Sequence, residues 1–328
     1  MYRARRMLPG AIDVHGHFVT PAYSRALEVA GVSAPDGLPG LPPWSPQSAL
    51  ELMDRLGIAA SLLAISSPGI HFGDDAAATR LARVLNDEIA DLVRERPSRF
   101  GLLACLPLPA LDAALVELEY ALDVLGADGV SLLTNANGVY LGDPAYEPLM
   151  AELDRRGALV VLHPTAPAGH AAVGFGRPSP ILEFPIDTTR TVFRLILDGV
   201  LQRHPRIRWI IPHSGSALAV LADRVHDVAR MWHTGDGPVP DVIAALQSLH
   251  YDLAGPATPR ALPALLTLVE PSQLLYGSDF PFPPVATLER FATALEQTDA
   301  LSAAERLAMF RDNALTLFPR LARVSPAT

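Results

Sequence analysis

The chain has 328 residues, nearly half of them hydrophobic, which is enough for a sizeable core and suits one α/β barrel of ~250 residues with insertions. Charged residues make up 19% and the formal net charge is −9, which argues against a disordered chain and against a nucleic-acid or anionic-membrane surface. There is one cysteine, Cys105, and no lysine, so an intrachain disulfide, a cysteine-built zinc site, a Schiff-base lysine and a carbamylated lysine bridging two metals are all excluded.

The basic segment Met1–Arg6 runs into Pro9, Gly10 and Asp13 rather than the apolar stretch of a signal peptide. No apolar run reaches the ~18–20 residues that span a bilayer, so the expected compartment is the cytoplasm. Ala11–Phe18 reads as a short strand ending in two histidines around one glycine. Alternation along a strand turns His15 and His17 to the same face, which is half of a metal site. Residues 18–47 are rich in Pro and Gly and read as an irregular insertion, a lid or binding loop. Ser45 then caps a helix with Pro46 in its first turn, running to Gly57.

From there apolar strands and amphipathic helices alternate. Strands are expected at 60–65, 100–106, 128–133, 158–163, 207–213, 249–253 and 274–279. Helices are expected at 74–96, 111–125, 144–156, 187–204, 216–232, 259–269, 285–297 and 302–317, with Asp187 capping the one it opens. A second Pro/Gly-rich loop covers 165–186. Counting Ala11–Phe18, eight strands alternate with helices, and most are continuous apolar runs. This indicates parallel strands covered by helices, and a closed (β/α)8 TIM barrel as a single domain over 1–328. No G-x-G-x-x-G run follows the first strand, which lowers the nucleotide-binding alternative.

In such a barrel the C-terminal strand ends form the active face. The first strand ends in His15-Gly16-His17, the fifth in His163, the sixth in His213 and the eighth in Asp279. Three imidazoles and a carboxylate suit Zn2+, with Mn2+ or Fe2+ less favoured by ligand type. His71 follows strand two on the same face and is a candidate substrate contact. Phe18, Trp44, Phe184 and Phe282 sit in rim loops as candidates for an apolar pocket. Arg190 is a candidate anion contact. His204, His226 and His233 read as surface or helix-end residues, and His250 as structural.

These residues resemble the amidohydrolase superfamily, in its aminocarboxymuconate-semialdehyde-decarboxylase-like branch known as amidohydrolase family 2. The matching stretches are Ile12–His17, Gly126–Val130, Val161–Thr165, Pro212–Gly215 and Tyr276–Pro281, so the resemblance covers most of the chain. It implies one divalent metal held by His15, His17, His163 and Asp279, with His213 as a non-ligand acid/base and Asp279 sharing the proton chemistry. It also implies a homodimer in which Arg224, on the helix after strand six, reaches the neighbouring site to bind a substrate carboxylate. Ser214-Gly215-Ser216 departs from the family's glycine-rich run.

Such a centre can run two reactions. Hydrolysis of a lactone or amide, or hydration of an unsaturated acid, would use water activated by the metal and positioned by His213. Non-oxidative decarboxylation would place the substrate carboxylate on the metal, with Asp279 or His213 protonating the carbon that loses CO2. The ligand set alone does not choose. The wording of Ile65–Gly69 and of 133–144 resembles salicylate-type decarboxylases, 6-methylsalicylate decarboxylase among them. That resemblance implies a decarboxylase of a hydroxylated aromatic or conjugated carboxylic acid.

Overall fold

The computed structural model describes residue 8 and residues 10–232 and 239–324, so His233 lies outside the described residues. Eight parallel strands follow one another round a barrel in chain order. They are β1 (Ala11–His17), β2 (Ile58–Ala64), β3 (Phe100–Cys105), β4 (Gly129–Leu133), β5 (Leu159–His163), β6 (Arg208–Ile211), β7 (His250–Asp252) and β8 (Leu274–Leu275). Backbone hydrogen bonds close the ring beyond the short β8: the Val14 N–H donates to the Tyr276 carbonyl at 2.9 Å, Asp279 N–H to that of His15 at 2.7 Å, and His17 N–H to that of Phe280 at 2.8 Å. The TIM barrel expected from the alternating pattern is therefore the observed architecture.

The principal helices are α1 (Pro21–Val29), α2 (Pro46–Leu56), α3 (Asp75–Glu95), α4 (Leu111–Glu119), α5 (Glu147–Arg156), α6 (Glu183–Leu197), α7 (Leu218–Met231), α8 (Val242–Gln247), α9 (Ala261–Leu265) and α10 (Val285–Glu296). Their caps follow from local chemistry. Ser45 and Ser48 exchange side-chain-to-backbone bonds at the start of α2, and Gly57 ends it with φ 88°. Among the described residues, no helix is long and apolar enough to cross a membrane.

Two buried layers organise the fold. An outer layer lies between strands and helices. An inner one fills the barrel with Ile12, Val14, Leu62, Leu103, Val161 and Ile210, and is capped by Leu317, Phe318 and Leu321. That C-terminal plug sits at the strand starts, where the Arg320 guanidinium donates to Asp128 and to the Phe100 carbonyl. The opposite end, where the strands finish, is left open for chemistry.

Two expectations need correction, and one element was not anticipated. The 18–47 segment is not wholly irregular, because Thr20 caps α1 with Pro21 in its first turn, the same device that starts α2. The helix assigned to 187–204 begins earlier, at Glu183, and breaks at Asp198–Gly199 before a short turn of helix at Val200–Arg203. Asp187 is therefore not its cap but lies one turn inside it. Finally, a small hairpin, Asn135–Ala136 against Val139–Tyr140, fills the connection after β4.

Candidate metal centre

The organising site is built from β1. Along β1 the pairing with β2 slips between Asp13 and Gly16, so two residues on β1, Val14 and His15, face one on β2, Leu62. This bulge resets the alternation: Ile12 and Val14 belong to the inner core, yet His17, opposite Ala64, also turns to the barrel axis. Between the histidines only glycine fits, since a Cβ at Gly16 would lie 2.4 Å from Ser61 Oγ and 3.1 Å from the Leu62 carbonyl.

His15, His17, His163 and Asp279 converge, with one ligand atom from each all within 4.8 Å of one another. The three histidines are oriented alike. His15 Nδ1 donates to Asp252 Oδ2 at 2.8 Å, His17 Nδ1 to the Ala64 carbonyl at 3.3 Å, and His163 Nδ1 to the Pro164 carbonyl at 2.7 Å. Carbonyls only accept, so in His17 and His163 the proton is on Nδ1 and Nε2 keeps its lone pair, which in His163 is also within 3.3 Å of the Ser66 hydroxyl. These lone pairs face Asp279, whose Oδ1 is 3.1 Å from His17 Nε2 and 3.6 Å from His15 Nε2. His15 Nε2 is buried with no hydrogen-bond partner. A buried, unpartnered nitrogen aimed at a carboxylate and two further lone pairs fits a divalent cation.

The electrostatics agree. Burial, reinforced by the neighbouring imidazoles, holds His163 well below the ordinary histidine range, so it stays neutral. Burial likewise lowers His17. For His15 burial works against a charge, but the Asp252 carboxylate overrides it and raises the pKa to about 9. Burial penalises the Asp279 carboxylate too, yet the imidazoles around it hold its pKa well below the usual range. The result is a fixed negative charge facing the lone pairs of His17 and His163, with a proton on His15 Nε2 that a bound metal ion would displace.

His213 follows β6 with φ 56°, and its Nε2 stands 3.9 Å from Asp279 Oδ2. Asp279 itself has φ 63°. Left-handed backbone at two non-glycine residues in one site costs on the order of 1–3 kcal/mol each and fixes where both side chains point. Phe282 lies edge-on to His17, ring centroids 5.4 Å apart, and Phe184 lies 6.2 Å from His163. Phe18 is instead buried against Trp44. His71 is at the rim but both ring nitrogens are engaged, Nε2 with Asp75 at 2.7 Å and Nδ1 with Asn137 at 2.8 Å. Arg190 is spent on Asp187 and the Tyr140 hydroxyl. Arg224 is exposed on α7, with no hydrogen bond or ion pair to the described residues.

Two carboxylates escaped the sequence reading. Asp252, at the end of β7, holds His15 through Oδ2 and accepts the His213 N–H through Oδ1 at 3.1 Å. Its place at a strand end on the active face was the available signal. Asp13 is buried and accepts from Ser61 Oγ, Ser278 Oγ and the backbone of His15 and Ser278, tying β1 to β2 and to the loop that carries Asp279.

The family model described as amidohydrolase matches residues 12–320. The chain belongs to the amidohydrolase family. This amidohydrolase is 36% identical to the 6-methylsalicylic acid decarboxylase acuB of Aspergillus aculeatus over 324 residues, covering 95% of this chain and 97% of that one. A crystal structure described as amidohydrolase II superposes on it with a TM-score of 0.89 and 36% identity, covering 94% of this chain and 100% of that one. A dihydroxybenzoic acid decarboxylase from Polaromonas sp. JS666, solved with bound manganese and 2-nitroresorcinol, shares the fold at a TM-score of 0.80 and 23% identity, covering 95% and 97%.

Proposed function

We propose that this amidohydrolase is a metal-dependent, non-oxidative decarboxylase of 2-hydroxybenzoates, substituted at ring position 6 as in the substrate named for its Aspergillus aculeatus relative. The observation that carries the reading is the set of three Nδ1-anchored histidines with Asp279 between them, in a chain so close to that relative over its whole length. His15, His17, His163 and Asp279 would hold one divalent ion, Zn2+ by ligand type. When bound, that ion supplies a Lewis acid for the substrate's carboxylate and neighbouring phenolic oxygen.

The chain's own residues do the rest. Asp279, with 22% of its side chain exposed, and His213, with 20%, face the opening as a pair 3.9 Å apart. They hold a proton and deliver it to the ring carbon, whose bond to the carboxyl carbon breaks; that carbon keeps the electron pair and CO2 leaves. Asp252 fixes both His15 and the backbone of His213, so it is a positioning residue. Phe282 packs beside His17 and excludes water from the ring's side of the site.

Arg224 supports a homodimer. It shares one face of α7 with Val220 and Leu221, 75% and 36% exposed, and Met231 and Trp232 are exposed at the helix end. In this reading Arg224 binds the substrate carboxylate of the neighbouring subunit. The same reading takes 1–328 as one barrel domain, with 18–47 covering part of its mouth and His71 bracing the rim, acting in the cytoplasm.

The test is CO2 release from 6-methyl-2-hydroxybenzoate, abolished by a chelator and restored by stoichiometric Zn2+. Restoration by Mn2+ but not Zn2+ would reassign the ion. Hydrolysis of lactones or amides with no CO2 evolved would sink the decarboxylase reading in favour of metal-dependent hydrolysis.

A further inference from the structure

Over the ends of β2 to β5, on the same rim as the metal cluster, lies a cavity of about 520 Å3. None of the five residues at the centre lines it. Its walls include Ile65, Ile70, Leu106, Leu108, Leu133 and Ala136. Ile65 adjoins Ser66, whose hydroxyl is 3.3 Å from His163 Nε2. Thr165, also in the wall, lies two residues beyond His163 and bonds Ser67 at 2.7 Å. Cavity and cluster are thus neighbours across the Ser66–Thr165 edge.

The space is far more than a small ring needs, since a cavity of about 150 Å3 already accepts benzene. Its polar wall groups are largely spent. His71 bonds Asp75 and Asn137, and the Asn135 side-chain N–H groups go to the Ala166 carbonyl and Asp187. Asp36 sits against the Ser67 hydroxyl and the Ala166 N–H. His170 Nδ1 is buried without a partner. The Ser131 hydroxyl, with no hydrogen-bond partner among the described residues, is left for a polar substituent, whereas a hydrocarbon chain along the apolar wall leaves none of the paired groups stranded.

Resting on the decarboxylase reading, we propose that this cavity is the ring-substituent subsite of the same active site. It takes 2-hydroxybenzoates that carry, at position 6, an unbranched alkyl chain longer than methyl.

The test compares kcat/KM for CO2 release from 6-methyl-, 6-propyl- and 6-pentyl-2-hydroxybenzoate, and their affinities by calorimetry, for the wild-type protein and Ala136→Phe. Burial of each added methylene is expected to raise both quantities about fourfold. Ala136→Phe is expected to keep turnover of the methyl acid within about twofold while losing the rise, in line with filling a void rather than touching the chemistry. Ala166→Leu, from the β5 loop, fills the same space and carries the test if the first variant does not fold. A flat or falling series, with CO2 released from the methyl acid, overturns the subsite and leaves the decarboxylase reading standing. No CO2 from any of the acids overturns that reading and the substrate assignment together.

Discussion

At the scale of single residues, the centre depends on Asp252 as much as on its ligands. A carboxylate that accepts from Nδ1 fixes the tautomer that leaves Nε2 free for metal. In Asp252→Asn an amide N–H turned toward His15 would favour the other tautomer. Metal affinity is expected to fall about 10- to 100-fold, read by competition with a chromophoric chelator, while the far-ultraviolet circular dichroism is unchanged. Unchanged affinity would remove Asp252 from the site. The ligands were legible in the sequence because each closes an apolar strand just before a turn residue. Asp252 obeys the same rule, but β7 is only three residues long, His250 to Asp252, and its aspartate read as part of the strand rather than its end. Asp187 misled for a different reason. Asp before Thr188-Thr189-Arg190 has the chemistry of a cap, and only tertiary contacts reveal it as a buried acceptor.

Those contacts belong to the scale of elements. Inside α6, Asp187 is fully buried and accepts from Thr134 Oγ1 at 2.5 Å, Tyr140 OH at 2.5 Å, Asn135 Nδ2 at 3.0 Å and Arg190 at 2.6 Å. Thr134 in turn donates its N–H to the His163 carbonyl and accepts from the Thr165 N–H. Helix, hairpin and the turn after β5 are thus one unit. Asp187→Ala leaves several buried donors unpaired and is expected to cost about 3 kcal/mol, seen as a lower urea midpoint. A loss below about 0.5 kcal/mol would mean the hairpin is held by something else. The packing of α5 makes a pH prediction. Arg203 and His204 donate to Glu147 at its start, and with Arg203 the larger influence its pKa is lowered from 4.5 to about 2. A carboxylate with a depressed folded-state pKa adds stability above pH 4.5, and that contribution fades as the pH falls toward 2. The urea-midpoint gap between wild type and Glu147→Gln is therefore expected to be present at pH 6 and to narrow at pH 3. Because 42% of the Glu147 side chain is exposed, the gap is small and shrinks further in high salt. Helix α1 escaped detection because the Pro/Gly content of 18–47 as a whole masked its local Thr20–Pro21 start.

At the scale of the whole molecule, the C-terminal plug closes one end of the barrel and leaves chemistry to the other. Eight apolar strands made that architecture legible, since only parallel strands covered by helices are apolar on both faces. What the pattern could not reach is whether a second chain completes the site, and the proposed role of Arg224 turns on that. It is exposed and without a partner among the described residues, beside apolar Val220 and Leu221 on the same helix face. A two-fold dimer buries the same patch on both subunits and can exchange one residue each way. Arg224→Ala would then empty the neighbour's site, and Asp279→Asn would disable its own. Each variant alone is expected to be nearly inactive. Reassembled together in equal amounts, half of the dimers are mixed. In each of these, one site combines an intact Asp279 with an intact Arg224 from the partner, so about a quarter of all sites recover activity. Recovery of that size, with sedimentation reporting a dimer, places Arg224 across the interface. No recovery on mixing, from a protein that sediments as a monomer, confines Arg224 to its own surface and removes it from substrate binding.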